Sequence, residues 1–135
     1  MKKLNLKVLP TVLFIAIMIV GIGGLNAQNS WSAPKDADTL VNPLSGKEVV
    51  KAGKKLFKNQ CVVCHGALGK GDGVAGMGLT PKPSNLTSEK VQSQTDGALF
   101  WKITNGNAPM ASYKDILSEE QRWQLVSYIR TLKKK

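Results

Sequence analysis

Cys61-Val62-Val63-Cys64-His65 is the stretch on which the reading of this sequence turns, since it holds both cysteines and the single histidine of the 135-residue chain. Two thiols three positions apart reach the two vinyl groups along one side of a porphyrin, and the adjacent imidazole then faces the iron. The spacing is therefore that of a covalent haem attachment site. Three other readings use the same residues. A structural zinc site wants four Cys/His ligands, and this chain offers three. A thioredoxin-like pair needs a βαβ setting, whereas the flanks here read as a helix and a glycine-rich loop. A plain disulfide leaves His65 without a role.

Upstream of the motif, Ser45-Gly46-Lys47-Glu48 has the form of a capping box, with the Ser45 hydroxyl facing the first free amides and Glu48 reaching back. It predicts a helix of about 14 residues leading to Cys61. At 100° per residue, Val49, Ala52, Gly53, Leu56 and Phe57 share one side, and Lys47, Lys51, Lys54, Lys55 and Lys58 share the other. The helix has a core face and a basic water face. Residues 28–44, polar and interrupted by Pro34 and Pro43, read as a linker or wrapping arm.

Downstream, residues 66–94 carry Gly66, Gly69, Gly71, Gly73, Gly76, Gly78, Pro81 and Pro83, which defeats both helix and strand periodicity. A loop of that length in a small domain implies that it wraps something. Thr95 then caps a short helix through Leu99, Phe100 and Ile103, stopped by Asn105-Gly106, and a turn around Pro109 follows. A second capping box, Ser118-Glu119-Glu120-Gln121, opens the last helix, whose buried stripe is Leu125, Tyr128, Ile129 and Leu132. Trp101 is expected in the core. Trp123 falls on a second seam with Val126 and Arg130, read either as packing beneath the 28–44 arm or as an exposed partner contact. No alternating strand and no repeat is visible, so the fold class is all-α, with three or more helices and long loops.

Gly53 and Phe57, the Cys61–His65 motif, the loop Gly66–Gly73, Pro81-Lys82-Pro83-Ser84-Asn85-Leu86-Thr87, Asn105-Gly106-Asn107-Ala108-Pro109-Met110, and Leu125 with Tyr128 together resemble a bacterial class I cytochrome c. The resemblance spans roughly residues 45–132 and implies the cytochrome c fold around one heme c. It implies thioethers at Cys61 and Cys64, His65 as proximal iron ligand and Met110 as distal ligand, with Met77 left as pocket lining. Gly53 and Phe57 then meet Leu125 and Tyr128 where the first and last helices cross. Many relatives carry a proline nine residues after the haem histidine, whose carbonyl accepts the imidazole N–H. Val74 stands there in this sequence, and its carbonyl is expected to serve. A His/Met pair leaves no open iron position, so the expected activity is electron transfer, with no catalytic residues and no enzyme activity of its own.

The N-terminal 27 residues supply much of the 42% hydrophobic fraction. Lys2, Lys3 and Lys7 precede an uncharged apolar run to Leu25, and Ala27 suits signal-peptidase cleavage, so residues 1–27 read as a signal peptide or an N-terminal membrane anchor. Residues 45–135 form the remaining domain, placed in the periplasm or on the outer face of the cytoplasmic membrane. The chain has 19 basic and 9 acidic residues, +10 in all; without residues 1–27 the count is 16 against 9, or +7. Export and core-spaced aromatics argue against nucleic acid. The expected partners are a redox donor and acceptor, among them an acidic docking surface or a membrane oxidase or dehydrogenase complex.

Overall fold

The chain enters its first helix, α1 (Lys47–Gln60), through Gly46 at φ +104°, a conformation open to glycine at little cost. The computed structural model, which describes residues 31–134, thereby corrects one expectation. The helix starts one residue later than the Ser45 capping box requires and has no side-chain cap. Glu48 faces outward and pairs with Lys51 at 3.5 Å. The rest of α1 follows its periodicity: Gly53 and Phe57 are buried, Val49, Ala52 and Leu56 are half-buried, and Lys47, Lys51, Lys54, Lys55 and Lys58 are exposed.

At Cys61 the backbone breaks register, and a single further turn, α2 (Val62–His65), carries the rest of the motif. The stretch read as continuous loop contains one more turn of helix, α3 (Glu89–Gln92), too short to leave a periodic signal. Helix α4 (Asp96–Asn105) is capped by Thr95, whose hydroxyl accepts from Ala98 N at 3.0 Å, and stops at Gly106 with φ +66°. The final helix, α5 (Glu119–Arg130), has the expected capping box, with Ser118 and Gln121 satisfying each other's amides. The described residues contain no strand.

The core is the crossing of α1 and α5. A Cβ at residue 53 would collide with the Gln124 carbonyl oxygen and stand 2.9 Å from Tyr128 Cβ, so only glycine lets the two backbones approach. Beside it the Phe57 and Tyr128 rings meet at 5.2 Å, tilted by 55°, and Leu125 and Val126 are fully buried. Each such side chain contributes about 1.5–3 kcal/mol of burial. Trp123 is buried, stacked on Phe100 at 4.0 Å, which accounts for the second seam as core packing. Trp101, expected in the core, is only half-buried. The guanidinium of buried Arg122 lies 5.1 Å over the Phe100 ring.

Two further contacts draw the loops onto this core. Arg130 donates to Asp96 Oδ1 at 2.6 Å and to the carbonyls of Gln92 and Gln94 at 2.9 and 2.6 Å, tying the end of α5 to the start of α4. The arm before α1 forms a 3-10 turn at Lys35–Thr39 that lies on α4, where Gly97 admits the Ala37 carbonyl. Asn42 extends the arm onto α5 by donating to Ser127 Oγ at 2.9 Å. Among the described residues no helix is long and apolar enough to cross a membrane. The segment read as signal or anchor, residues 1–27, lies outside the described residues.

Candidate haem site

The break at Cys61 gathers the three chemistry-bearing side chains onto one turn. The Cys61 carbonyl accepts from both Cys64 N (3.2 Å) and His65 N (2.8 Å), so both cysteines and the histidine belong to the same backbone loop. Both cysteines are free. Burial, with Cys64 beside it, pushes the Cys61 thiol up to about 12, so it stays protonated at neutral pH. Among the described residues no group of three or more His, Cys, Asp or Glu side chains is placed to hold a metal ion, so the four-ligand set of a structural zinc site is not formed there. The absence of a strand there removes the thioredoxin setting as well.

The glycine-rich loop folds back over this turn and fits it with backbone. Gly71 N donates to His65 O at 2.8 Å, Gly73 N to Cys64 O at 3.1 Å and Ala75 N to Val63 O at 2.9 Å. A Cβ at residue 73 would stand 2.5–2.6 Å from the Cys64 carbonyl carbon and the oxygens of Val62 and Val63. The glycine density read as a wrapping loop is thus required by contact with the motif. Val63, Leu68, Val74 and Met77 remain exposed along this segment, at 54, 63, 74 and 65%.

The imidazole of His65 is oriented from the far end of the same loop. Its Nδ1 lies 3.1 Å from the Ser84 carbonyl oxygen. A carbonyl only accepts, so Nδ1 carries the proton and Nε2 keeps its lone pair for a metal. The expected partner, the Val74 carbonyl, is therefore replaced by Ser84, one residue beyond Pro83. Three contacts hold that carbonyl in place: Leu86 N donates to Gly69 O at 2.7 Å, Asn85 Oδ1 accepts from Thr87 N at 2.9 Å, and Gly71 lets the Pro83 carbonyl approach. Burial lowers the His65 pKa from its ordinary 6.5, against the smaller opposite effect of the Ser84 bond. At neutral pH the ring is in the uncharged form that coordinates iron.

Met110 occupies a separate loop between α4 and α5. It is paired with Asn107 through both backbone bonds, at 2.9 and 3.0 Å, and is half-buried. The loop's second end is fixed on α4 by Tyr113 N to Ile103 O and Lys114 N to Thr104 O, each 3.1 Å. Free thiols on one short turn and a neutral imidazole with Nε2 available are a donor set that fits a c-type haem.

The Cytochrome c family model matches residues 50–133. The chain belongs to the cytochrome c family. As a cytochrome c it binds one haem covalently and works in haem-based electron transfer. Among solved structures it is similar to the c-type cytochrome KustC0563, with TM-score 0.52 and 27% identity over 61% of this chain and 98% of that one. It is also similar to a chain of the Kuenenia stuttgartiensis reducing HAO-like protein complex Kustc0457/Kustc0458 (TM-score 0.59, 27% identity), covering 70% of this chain. This cytochrome c spans half the length of that chain. No curated protein matches it.

Proposed function

We propose that this cytochrome c is an exported monohaem electron carrier in which Cys61 and Cys64 form the thioethers, His65 Nε2 is the proximal iron ligand and Met110 Sδ the distal one. The observation that carries the reading is the Cys61–His65 turn with its imidazole aligned by the Ser84 carbonyl, which sets two thiols and the proximal nitrogen on one short piece of chain. When bound, the haem supplies a one-electron ferric/ferrous couple. The chain's part is to tether it at two points, hold the imidazole in one tautomer, and set the Met110 loop against the opposite side. Thioether ligation at the distal position favours the ferrous form and raises the potential. In domain terms, residues 1–27 direct export or anchor the chain, residues 28–44 form an arm whose Lys35–Thr39 turn and Asn42 strap α4 and α5, and residues 45–135 carry the redox centre in the periplasm or at the outer face of the cytoplasmic membrane.

The exposed lysines of α1 support docking to an acidic redox partner. Among the described residues, only Lys51 of the five forms an ion pair, with Glu48, so association slows as salt rises. The likeness to a chain of an HAO-like complex favours a second reading, a haem subunit of a larger redox assembly. Sedimentation of the native extract separates the two: a carrier runs near the mass of one chain.

The ferric absorption spectrum tests the ligand set. His/Met ligation gives a long-wavelength sulfur-to-iron band that disappears in Met110→Leu while the Met77→Leu protein keeps it. Rapid cyanide or CO binding by the native protein, with no such band, contradicts Met110 ligation.

A further inference from the structure

Helix α1 does not run continuously into the Cys61–His65 turn. The amides of Cys64 and His65 both turn to the Cys61 carbonyl, so the Cys64 amide does not continue the α1 ladder to Gln60 O. A helix-terminal carbonyl left in this way needs a donor from elsewhere. It finds the phenolic hydroxyl of Tyr113, which donates to Gln60 O at 2.9 Å across 53 residues of sequence. Tyr113 belongs to the Met110 loop, three residues after Met110, at the point where that loop is pinned to the end of α4. Its ring is half-buried and packs against the core. Burial first, and then the Cys61 and Cys64 thiols, raise the pKa of its hydroxyl.

We infer that Tyr113 is a positioning residue for the distal ligand, whose hydroxyl bond to Gln60 latches the Met110 loop to the Cys61–His65 turn and fixes the span that the haem must fill. The other ties of the loop, Ser112 Oγ to Thr104 O at 2.7 Å and the two backbone bonds to Ile103 and Thr104, run to α4 alone. They hold the loop's base without setting its distance from the two cysteines. Among the described residues, the Tyr113 hydroxyl is the side-chain donor that ties this loop to the end of α1. Without the latch the loop keeps its shape but swings more freely, and exogenous ligands compete better with the Met110 sulfur. The inference rests on the proposed ligation by Met110.

Imidazole titration of the ferric holoprotein, followed at the sulfur-to-iron band, tests it with Tyr113→Phe and Ser112→Ala. Tyr113→Phe removes one oxygen and keeps the ring's packing. It is expected to bind imidazole about fivefold more tightly than the native protein, the factor set by losing one neutral hydrogen bond. Ser112→Ala changes the affinity less than twofold, and the two variants share the same denaturation midpoint. Three outcomes overturn the latch: an affinity for imidazole in Tyr113→Phe within twofold of native, an equal gain in Ser112→Ala, or a Tyr113→Phe chain that fails to retain haem and so marks the residue as a determinant of the whole fold. A native protein without the sulfur-to-iron band defeats the ligand assignment itself, which is a distinct result.

Discussion

The crossing of α1 with α5 and the loop that covers the Cys61–His65 turn both depend on a glycine, and they depend on it differently. At the crossing, Gly53 brings two helices close enough for Phe57, Leu125 and Tyr128 to interlock, so the contact is completed by side chains of this chain. At the loop, Gly73 lets backbone lie on backbone, and the apolar side chains around it, Val63, Val74 and Met77, stay exposed. One region carries its own core. The other is shaped to the Cys61–His65 motif, where the haem is proposed to attach. In a domain this small, the second kind of region is where a bound cofactor adds stability as well as function.

The sharpest way to break that contrast is at residue 53. Gly53→Ala drives a methyl group into the Gln124 carbonyl, and neither backbone can yield without separating the helices. The expected loss is about 3 kcal/mol in chemical denaturation, at the upper end for overpacking and beyond the gain in helix propensity. A loss under 1 kcal/mol means the crossing relaxes freely. Gly73→Ala meets three backbone atoms of the motif turn. It is expected to cost about 2 kcal/mol. Its distinguishing mark is a fall in the fraction of chain carrying covalent haem, read from the ratio of haem absorbance to protein, with far-UV circular dichroism retained. Equal haem loading in native and Gly73→Ala would remove the distinction between the two regions.

A smaller effect separates the two capping signals. Ser118→Ala should destabilise by about 1 kcal/mol because it frees the Gln121 amide, whereas Ser45→Ala should change stability by no more than about 0.3 kcal/mol. The same denaturation series reads both. The smallest effect is at alkaline pH. Burial raises the Tyr128 phenol above its ordinary 10. The unfolded chain therefore ionises first, and the stability of the crossing is fully present below about pH 10 and declines above it. Tyr128→Phe should flatten that alkaline limb in a plot of denaturation midpoint against pH.

These pairs also mark what is legible in the sequence. Residues whose roles lie in their own side chains and spacing are readable: the Cys61–His65 motif, the Thr95 and Ser118 caps, and the Gly53–Phe57 and Leu125–Tyr128 sets all fall where periodicity places them. Ser45 misleads because the capping pattern says nothing of the φ that Gly46 adopts, and that angle moves the helix start by one residue. The partner of His65 is illegible for a deeper reason. A backbone carbonyl is chemically the same at every residue, so only the path of the loop selects Ser84 over Val74. The Tyr113 bond to Gln60 is hidden likewise, since its acceptor arises from the break between α1 and α2. Helix α3 is a single turn, below the length at which an apolar period can register.

Covalent attachment of the haem through Cys61 and Cys64 is read out by acid–organic extraction of the native protein followed by intact mass measurement. The haem should remain with the native chain, adding the mass of one group, and should leave the Cys61→Ala/Cys64→Ala chain completely. A native chain that surrenders its haem to the solvent, or a double variant that keeps it, would contradict thioether attachment at these two residues.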